Sequence, residues 1–302
     1  MKKEIKIILI GLLAGFFITA CNERGPVELR DEDDSFEVEL LTPEPSGYDS
    51  TGIVEPLPSF TSLITVSGIQ NSYKNISIHS MFNAAMFFDR SKPVYNFSNR
   101  IIAYHLRPLG NVYFNGEEAG EKQYRLRYRS NEGEKDTLLG SYHVIARLFS
   151  PGSFREFPYD SYVNFELEGG MGGQGTGFHL DFDIPTPEKV TGEVKISGSR
   201  RRHDIRMDLH WNINSDREAF IEIIVGGTSS LNDGVVPIVK FKTRDDGFFR
   251  VPRSMMRSIP LDKHPALVFT FRRSAYKNVQ HDKLPDNHII AQSIHNIKID
   301  VP

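Results

Sequence analysis

An all-β fold is what the sequence predicts, on three observations. Asp204-Ile205-Arg206-Met207-Asp208-Leu209-His210-Trp211-Asn212-Ile213 alternates polar and apolar, the period of a strand with one buried face. Shorter runs of the same kind recur from about Ser59 onward, and clusters such as Asn214-Ser215-Asp216, Asn232-Asp233-Gly234 and Asp245-Asp246-Gly247 separate them as turns. No long amphipathic helix and no repeat of about 20–50 residues breaks the pattern.

The chain opens Met1-Lys2-Lys3-Glu4-Ile5-Lys6, and the stretch from Ile7 to Ala20 then carries no charge. That is a basic n-region followed by an apolar h-region. It falls short of the roughly 20 apolar residues that cross about 30 Å of hydrocarbon, so residues 1–20 read as a signal peptide. Ile18-Thr19-Ala20-Cys21 directly after it resembles the lipobox of bacterial lipoproteins. The resemblance implies diacylglyceryl transfer to the Cys21 sulfur, cleavage before that residue and acylation of the new α-amine, commonly with palmitate. Two or three acyl chains, at about 0.8 kcal/mol per buried CH₂, amount to on the order of 20 kcal/mol. The first expected partner is therefore a membrane, held through lipid on Cys21, and the expected place is the cell envelope, at the outer membrane on either face. Cys21 is the only cysteine, which excludes a disulfide framework and zinc sites built on several thiolates.

The next segment, residues 21–57, is acidic. Between Asn22 and Leu57 eleven acids stand against Arg24 and Arg30, a charge of −9, while residues 58–302 carry 31 basic against 27 acidic residues, or +4. Asp31-Glu32-Asp33-Asp34, with Pro26, Pro43, Pro45 and Pro56, leaves little apolar pattern apart from Phe36-Glu37-Val38-Glu39-Leu40. Such composition does not bury enough apolar surface to offset chain entropy, so a disordered tether is expected, with a reach of roughly 30–40 Å.

Residues 58–184 read as a β-rich domain of open topology, with strands at Leu63–Val66, Ile76–His79, Asn111–Phe114, Tyr124–Arg129, Tyr142–Phe149, Tyr162–Leu167 and His179–Ile184. Ser80–Phe88 fits a short helix or a strand, because apolar runs of that length suit both. Ile184-Pro185-Thr186-Pro187 marks the boundary. Residues 185–302 hold seven strands: Glu193–Ser199, Asp204–Ile213, Ala219–Gly226, Val235–Thr243, Phe248–Val251, Ala266–Arg273 and His295–Val301. That number at that spacing predicts a β-sandwich with Ig-like topology. Asp246-Gly247-Phe248-Phe249-Arg250-Val251-Pro252, followed by a short helical turn over Arg253–Ile259, resembles the strand, proline and turn of bacterial Ig-like domains. The resemblance implies that Trp211 is a core tryptophan.

Few constellations point to chemistry. Gly169-Gly170-Met171-Gly172-Gly173-Gln174-Gly175-Thr176-Gly177 lacks the Lys-Ser/Thr pair of a phosphate loop and precedes a strand, so a hairpin loop is expected. His179, Asp181 and Asp183 alternate along one strand and share a face, which makes them candidate ligand-binding residues. Arg200-Arg201-Arg202 form a basic loop that suits phosphate or anionic glycan, with Arg250, Arg253 and Arg257 further on. No G-x-S-x-G elbow and no D-x-D-x-D-G calcium loop occurs, so no catalytic residue, metal or cofactor is assigned. A body at +4 gives no reason to expect nucleic acid. Asp49-Ser50-Thr51 and Asp136-Thr137-Leu138 resemble a short O-glycosylation pattern of exported proteins.

The function these observations imply is a non-catalytic envelope lipoprotein, a binding, adhesion or scaffold module for an envelope protein or glycan. The alternative is an exported hydrolase or carbohydrate-active protein with a site near Gly169–Asp183, which requires those side chains to line a concave pocket.

Overall fold

A computed structural model of the chain describes residues 37–40, 60–130, 133–149, 156–170, 177–198, 205–216, 218–228, 235–256 and 259–300. The signal peptide, Cys21, the glycosylation pattern at Asp49-Ser50-Thr51 and the Arg200-Arg201-Arg202 loop lie outside the described residues. In chain order the first half contains β1 (Glu37–Leu40), β2 (Ser62–Tyr73), β3 (Ile76–Tyr95), β4 (Ile101–Leu106), β5 (Gly110–Phe114), β6 (Glu117–Glu118), β7 (Gly120–Ser130), β8 (Gly133–Phe149), β9 (Tyr162–Gly169) and β10 (Phe178–Pro185). The second half adds β11 (Gly192–Ser197), β12 (Arg206–Trp211), β13 (Phe220–Thr228), β14 (Val235–Arg244), β15 (Phe248–Arg250), a single helical turn α1 (Arg253–Met256), β16 (Ala266–Lys277) and β17 (Asn287–Asp300). The protein is all-β.

One large sheet runs through the whole body in the order β1-β14-β13-β16-β17-β2-β3-β8-β7, with β4 added on β3. Its middle seam is the parallel pair of β17 with β2, from Asn287 opposite Ser62 to Lys298 opposite Tyr73. Two smaller sheets cover one face of it side by side. The sheet β10-β9-β5-β6 encloses a core in which Val112, Phe114, Val163, Phe165, Leu167 and Ile184 meet Ile64, Val66, Ala85 and Phe87. The sheet β11-β12-β15 does the same with Met207, Leu209, Trp211 and Phe249 against Ile223, Val225, Phe241, Phe269 and Phe271. Alternation supplies these faces, and each large side chain fully buried contributes about 1.5–3 kcal/mol. The chain crosses from one small sheet to the other at Pro185–Pro187, where the sequence breaks its pattern, while the large sheet continues beneath.

Polar groups fill the seam between the two cores. Arg273 and Asp245, with side chains 2% and 0% exposed, form a buried ion pair in which Nε donates to Oδ2 at 2.6 Å and Nη2 to Oδ1 at 2.9 Å. The Trp211 indole donates to the same carboxylate at 2.7 Å, and Arg273 Nη1 reaches the Lys189 carbonyl at 3.0 Å. His295 bridges the connector to the sheet: Nδ1 accepts from the Gly192 amide at 2.8 Å, which leaves the proton on Nε2 to be donated to Ser72 Oγ at 2.9 Å. Burial, assisted by His79 and Lys189, pushes this imidazole down to about 4. Gly192 must be glycine, because a Cβ there would sit 2.5 Å from the Phe271 ring.

Two segments depart from the sequence reading, and a third resolves an open one. Of the two readings open for Ser80–Phe88 the strand holds: it is the middle of the twenty-residue β3, paired with β2 on one side and β8 on the other. β17 starts at Asn287 rather than His295, because Ile289 through Ile294 are all buried and a strand buried on both faces does not alternate. Residues 37–40, inside the expected tether, form the edge strand β1 on β14: Val38 packs on the second core and Glu37 pairs with Lys242 at 3.6 Å. Asp136-Thr137-Leu138 lies on β8, where Asp136 pairs with Arg127 at 3.5 Å.

Candidate binding face

The β9–β10 hairpin pairs residue for residue from Gly169 opposite Phe178 to Tyr162 opposite Pro185, so Gly169 and Gly177 close a hairpin loop. Phe178, Leu180, Phe182 and Ile184 point inward with the core, and strand alternation sends the intervening residues to solvent. His179 accordingly stands opposite Glu168, Asp181 opposite Glu166 and Asp183 opposite Asn164. β5 extends these rows with Asn111 opposite Glu168 and Tyr113 opposite Glu166, and β6 sets Glu118 beside Tyr113.

A tight turn brings β6 into place. Asn115 and Gly116 have φ of 51° and 71° between the paired residues Phe114 and Glu117. An Asn-Gly pair with both residues left-handed is the two-residue hairpin whose twist matches the flanking strands. Asn115 Oδ1 also accepts from the Asn164 amide at 2.8 Å, which ties the turn to β9.

The resulting face carries five carboxylates, Glu118, Glu166, Glu168, Asp181 and Asp183, alongside His179. Asn164 Nδ2 donates to Asp181 Oδ1 at 2.6 Å and to Asp183 Oδ1 at 3.3 Å, and the Tyr113 hydroxyl donates to Glu168 Oε2 at 3.3 Å. A hydrogen bond from Asn111 works against the rise of Tyr113, but desolvation and the charges of Glu168 and Glu118 push that hydroxyl up. Like charges directly opposite one another, as Asp181 and Glu166 are, destabilise a strand pair. The face is rich in acceptors and in negative charge, the chemistry that attracts cations bearing N–H donors.

His179, Asp181 and Asp183 are thus brought together as a row, exposed on the outer face of a sheet. Among the described residues no group of three or more His, Cys, Asp or Glu side chains is placed to hold a metal ion. Glu118, Glu166, Glu168, Asn111 and Tyr113 were not among the candidates from sequence. The alternation Tyr162-Val163-Asn164-Phe165-Glu166-Leu167-Glu168 does place the β9 members on one face, but only the strand pairing puts them beside His179.

The basic candidates are placed separately. Arg250 lies on the outer face of the β11-β12-β15 sheet, where Nε donates to Asp208 Oδ1 at 2.7 Å and Nη2 to Oδ2 at 3.1 Å. This hydrogen-bonded guanidinium holds the Asp208 carboxyl below its ordinary value. Arg253 opens α1. No protein-family model matches this chain, and a search of curated proteins returned no similar sequence.

Proposed function

We propose that the chain is an exported lipoprotein, held at the outer membrane by lipid on Cys21, whose body is a non-catalytic module that binds a cationic partner through the outer face of the β10-β9-β5-β6 sheet. The observation that carries the binding surface is the cross-strand row of Asp181, Glu166 and Tyr113 with Glu118 beyond it, a set of carboxylates mounted on paired strands. A cationic partner relieves the repulsion that the strand pairing imposes. Rigid strands also hold the row in fixed geometry, which lowers the entropy lost on binding. The anchor rests on Ile18-Thr19-Ala20-Cys21. The reading of residues 185–302 as an Ig-like sandwich is supported by three strands facing the large sheet with Trp211 in the core between them.

The test is a screen of the full chain in detergent against envelope proteins and glycans, at physiological salt. A basic protein or glycan that binds the wild type and is lost in Glu166→Gln with Asp181→Asn supports the reading. A partner retained by that double variant, or a set of hits without preference for positive charge, overturns it.

A further inference from the structure

Next to the acidic face, where β5, β6, β7 and β8 meet, lies a cavity of about 280 Å³ lined by Asn111, Glu118, Ala119, Gly120, Glu121 and His143. Asn111, Glu118, Gly120 and Glu121 are exposed at its rim, whereas Ala119 and His143 are each only 5% exposed. Register explains the burial of the histidine. On β8, His143 lies opposite Glu121 of β7 and opposite Ala85 of β3, and Ala85 belongs to the core face. Its imidazole therefore enters the interior, edge-on to the Phe87 ring at 6.3 Å between centroids.

Nδ1 of this ring is buried without a hydrogen-bond partner among the described residues. Desolvation lowers the imidazole below its ordinary value against the opposing pull of Glu121, Ala119 and Glu118, so the ring is neutral. A neutral imidazole carries one proton, and in the tautomer with that proton on Nε2 the Nδ1 atom offers a lone pair to an incoming donor. Buried polar atoms left without a partner are rare and costly in native proteins. The side chains around this one supply further acceptors: two carboxylates that act on the ring, and the Asn111 amide oxygen. Glu117, the neighbouring carboxylate, is already occupied by Arg147.

A cavity with two exposed carboxylates at its mouth and a buried histidine with an unpartnered nitrogen in its wall suits a guest that is positively charged and has several donors. An ammonium group has three donors and no acceptor. We propose that this cavity binds a primary alkylammonium group, its N–H donors shared among Glu118, Glu121 and Nδ1 of His143. The site rests on the cationic-partner reading above and names the group that the partner inserts. Glu118 and Asn111 belong both to the cavity and to the acidic face, so a chain carrying the ammonium runs from one onto the other.

The test titrates tetralysine, and separately spermidine, into the full chain in detergent at physiological salt. The result expected is saturable binding, weakened about tenfold or more by Glu118→Gln and by Glu121→Gln, as loss of a charge-assisted hydrogen bond requires. Both residues are exposed, so these variants fold. In histidine-labelled protein the Nδ1 resonance of His143 shifts on addition of the probe while that of His210 does not. Tighter binding of tetralysine assigns a lysine-bearing peptide as the source, and tighter binding of spermidine a free polyamine. Unchanged affinity in both Gln variants, or an Nδ1 resonance that does not move, overturns the cavity. If binding then depends on Glu166 and Asp181 alone, the acidic-face reading stands without it, and if neither probe binds, both fall.

Discussion

Arg273 and Asp245 grip one another in the seam between the two cores, both nearly inaccessible to water, with the Trp211 indole donating to the same carboxylate. The pair comes from the residue just after β14 and from β16, and it also fixes the Lys189 carbonyl of the segment that links the two small sheets. Breaking it from one side leaves a buried charge without a partner. Arg273→Ala is expected to cost about 3–5 kcal/mol. Urea denaturation followed by the fluorescence of Trp211, the only tryptophan, measures this, and the altered indole environment also reports on the folded state of the variant.

His295 makes stability depend on pH. Its folded value of about 4 lies below the ordinary 6.5, so the unfolded chain takes up a proton across that window and the folded one does not. The stabilisation from the neutral ring is fully present above about 6.5 and is lost as pH falls toward 4, a loss of about 3 kcal/mol. The lowered imidazole of His143 acts with the same sign. Stability measured from pH 7 to 4 is expected to fall in the wild type and to fall less steeply in His295→Gln, whose absolute stability is lower at pH 7 because Gly192 and Ser72 lose their partner.

Glu166→Gln separates stability from binding. Removing one of two carboxylates that face each other across β9 and β10 is expected to raise stability by about 0.2–1 kcal/mol, the size of a cross-strand pair. The same change lowers affinity for the cationic partner. Thermal denaturation and a binding isotherm on one preparation check both signs, and a destabilised variant contradicts the account of the face.

Gly192→Ala places a methyl group 2.5 Å from the ring of Phe271, which is fully buried and has no space to retreat. Overpacking of this kind costs about 1–3 kcal/mol. A lowered urea midpoint with unchanged slope is the expected result.

Cys21→Ala removes the attachment point for lipid. The wild type is expected in the detergent phase on Triton X-114 partition and the variant in the aqueous phase. A wild-type mature mass equal to that of the unmodified polypeptide contradicts the anchor.

How much of this was legible depended on how many faces of a strand are wet. β12 buries Met207, Leu209 and Trp211 and exposes Arg206, so its alternation reads directly from sequence. β2 buries every residue from Ser62 to Ile69, and only Leu63–Val66 was readable as strand. The same double burial hid the first half of β17, and with it the parallel seam that joins the two halves. The β10 row of the acidic face was legible because His179, Asp181 and Asp183 alternate with Leu180 and Phe182. Its partners on β9 and β5 depend on strand pairing, which no local pattern specifies. His143 was hidden for a further reason: in Tyr142-His143-Val144-Ile145 an apolar residue precedes and two follow it, so periodicity does not reveal that its side faces a cavity.

The parallel seam of β2 and β17 is the pairing of greatest sequence separation in the large sheet. Ser62 and Asn287 are partners across 225 residues, so the centre of the large sheet is completed only when the last strand has emerged. Pairings that close so long a loop are slow to form. Until then β2 has β3 on one side and an open edge on the other. Without that pairing the large sheet falls into two parts, β1-β14-β13-β16-β17 and β2-β3-β8-β7, which share no other strand pairing among the described residues.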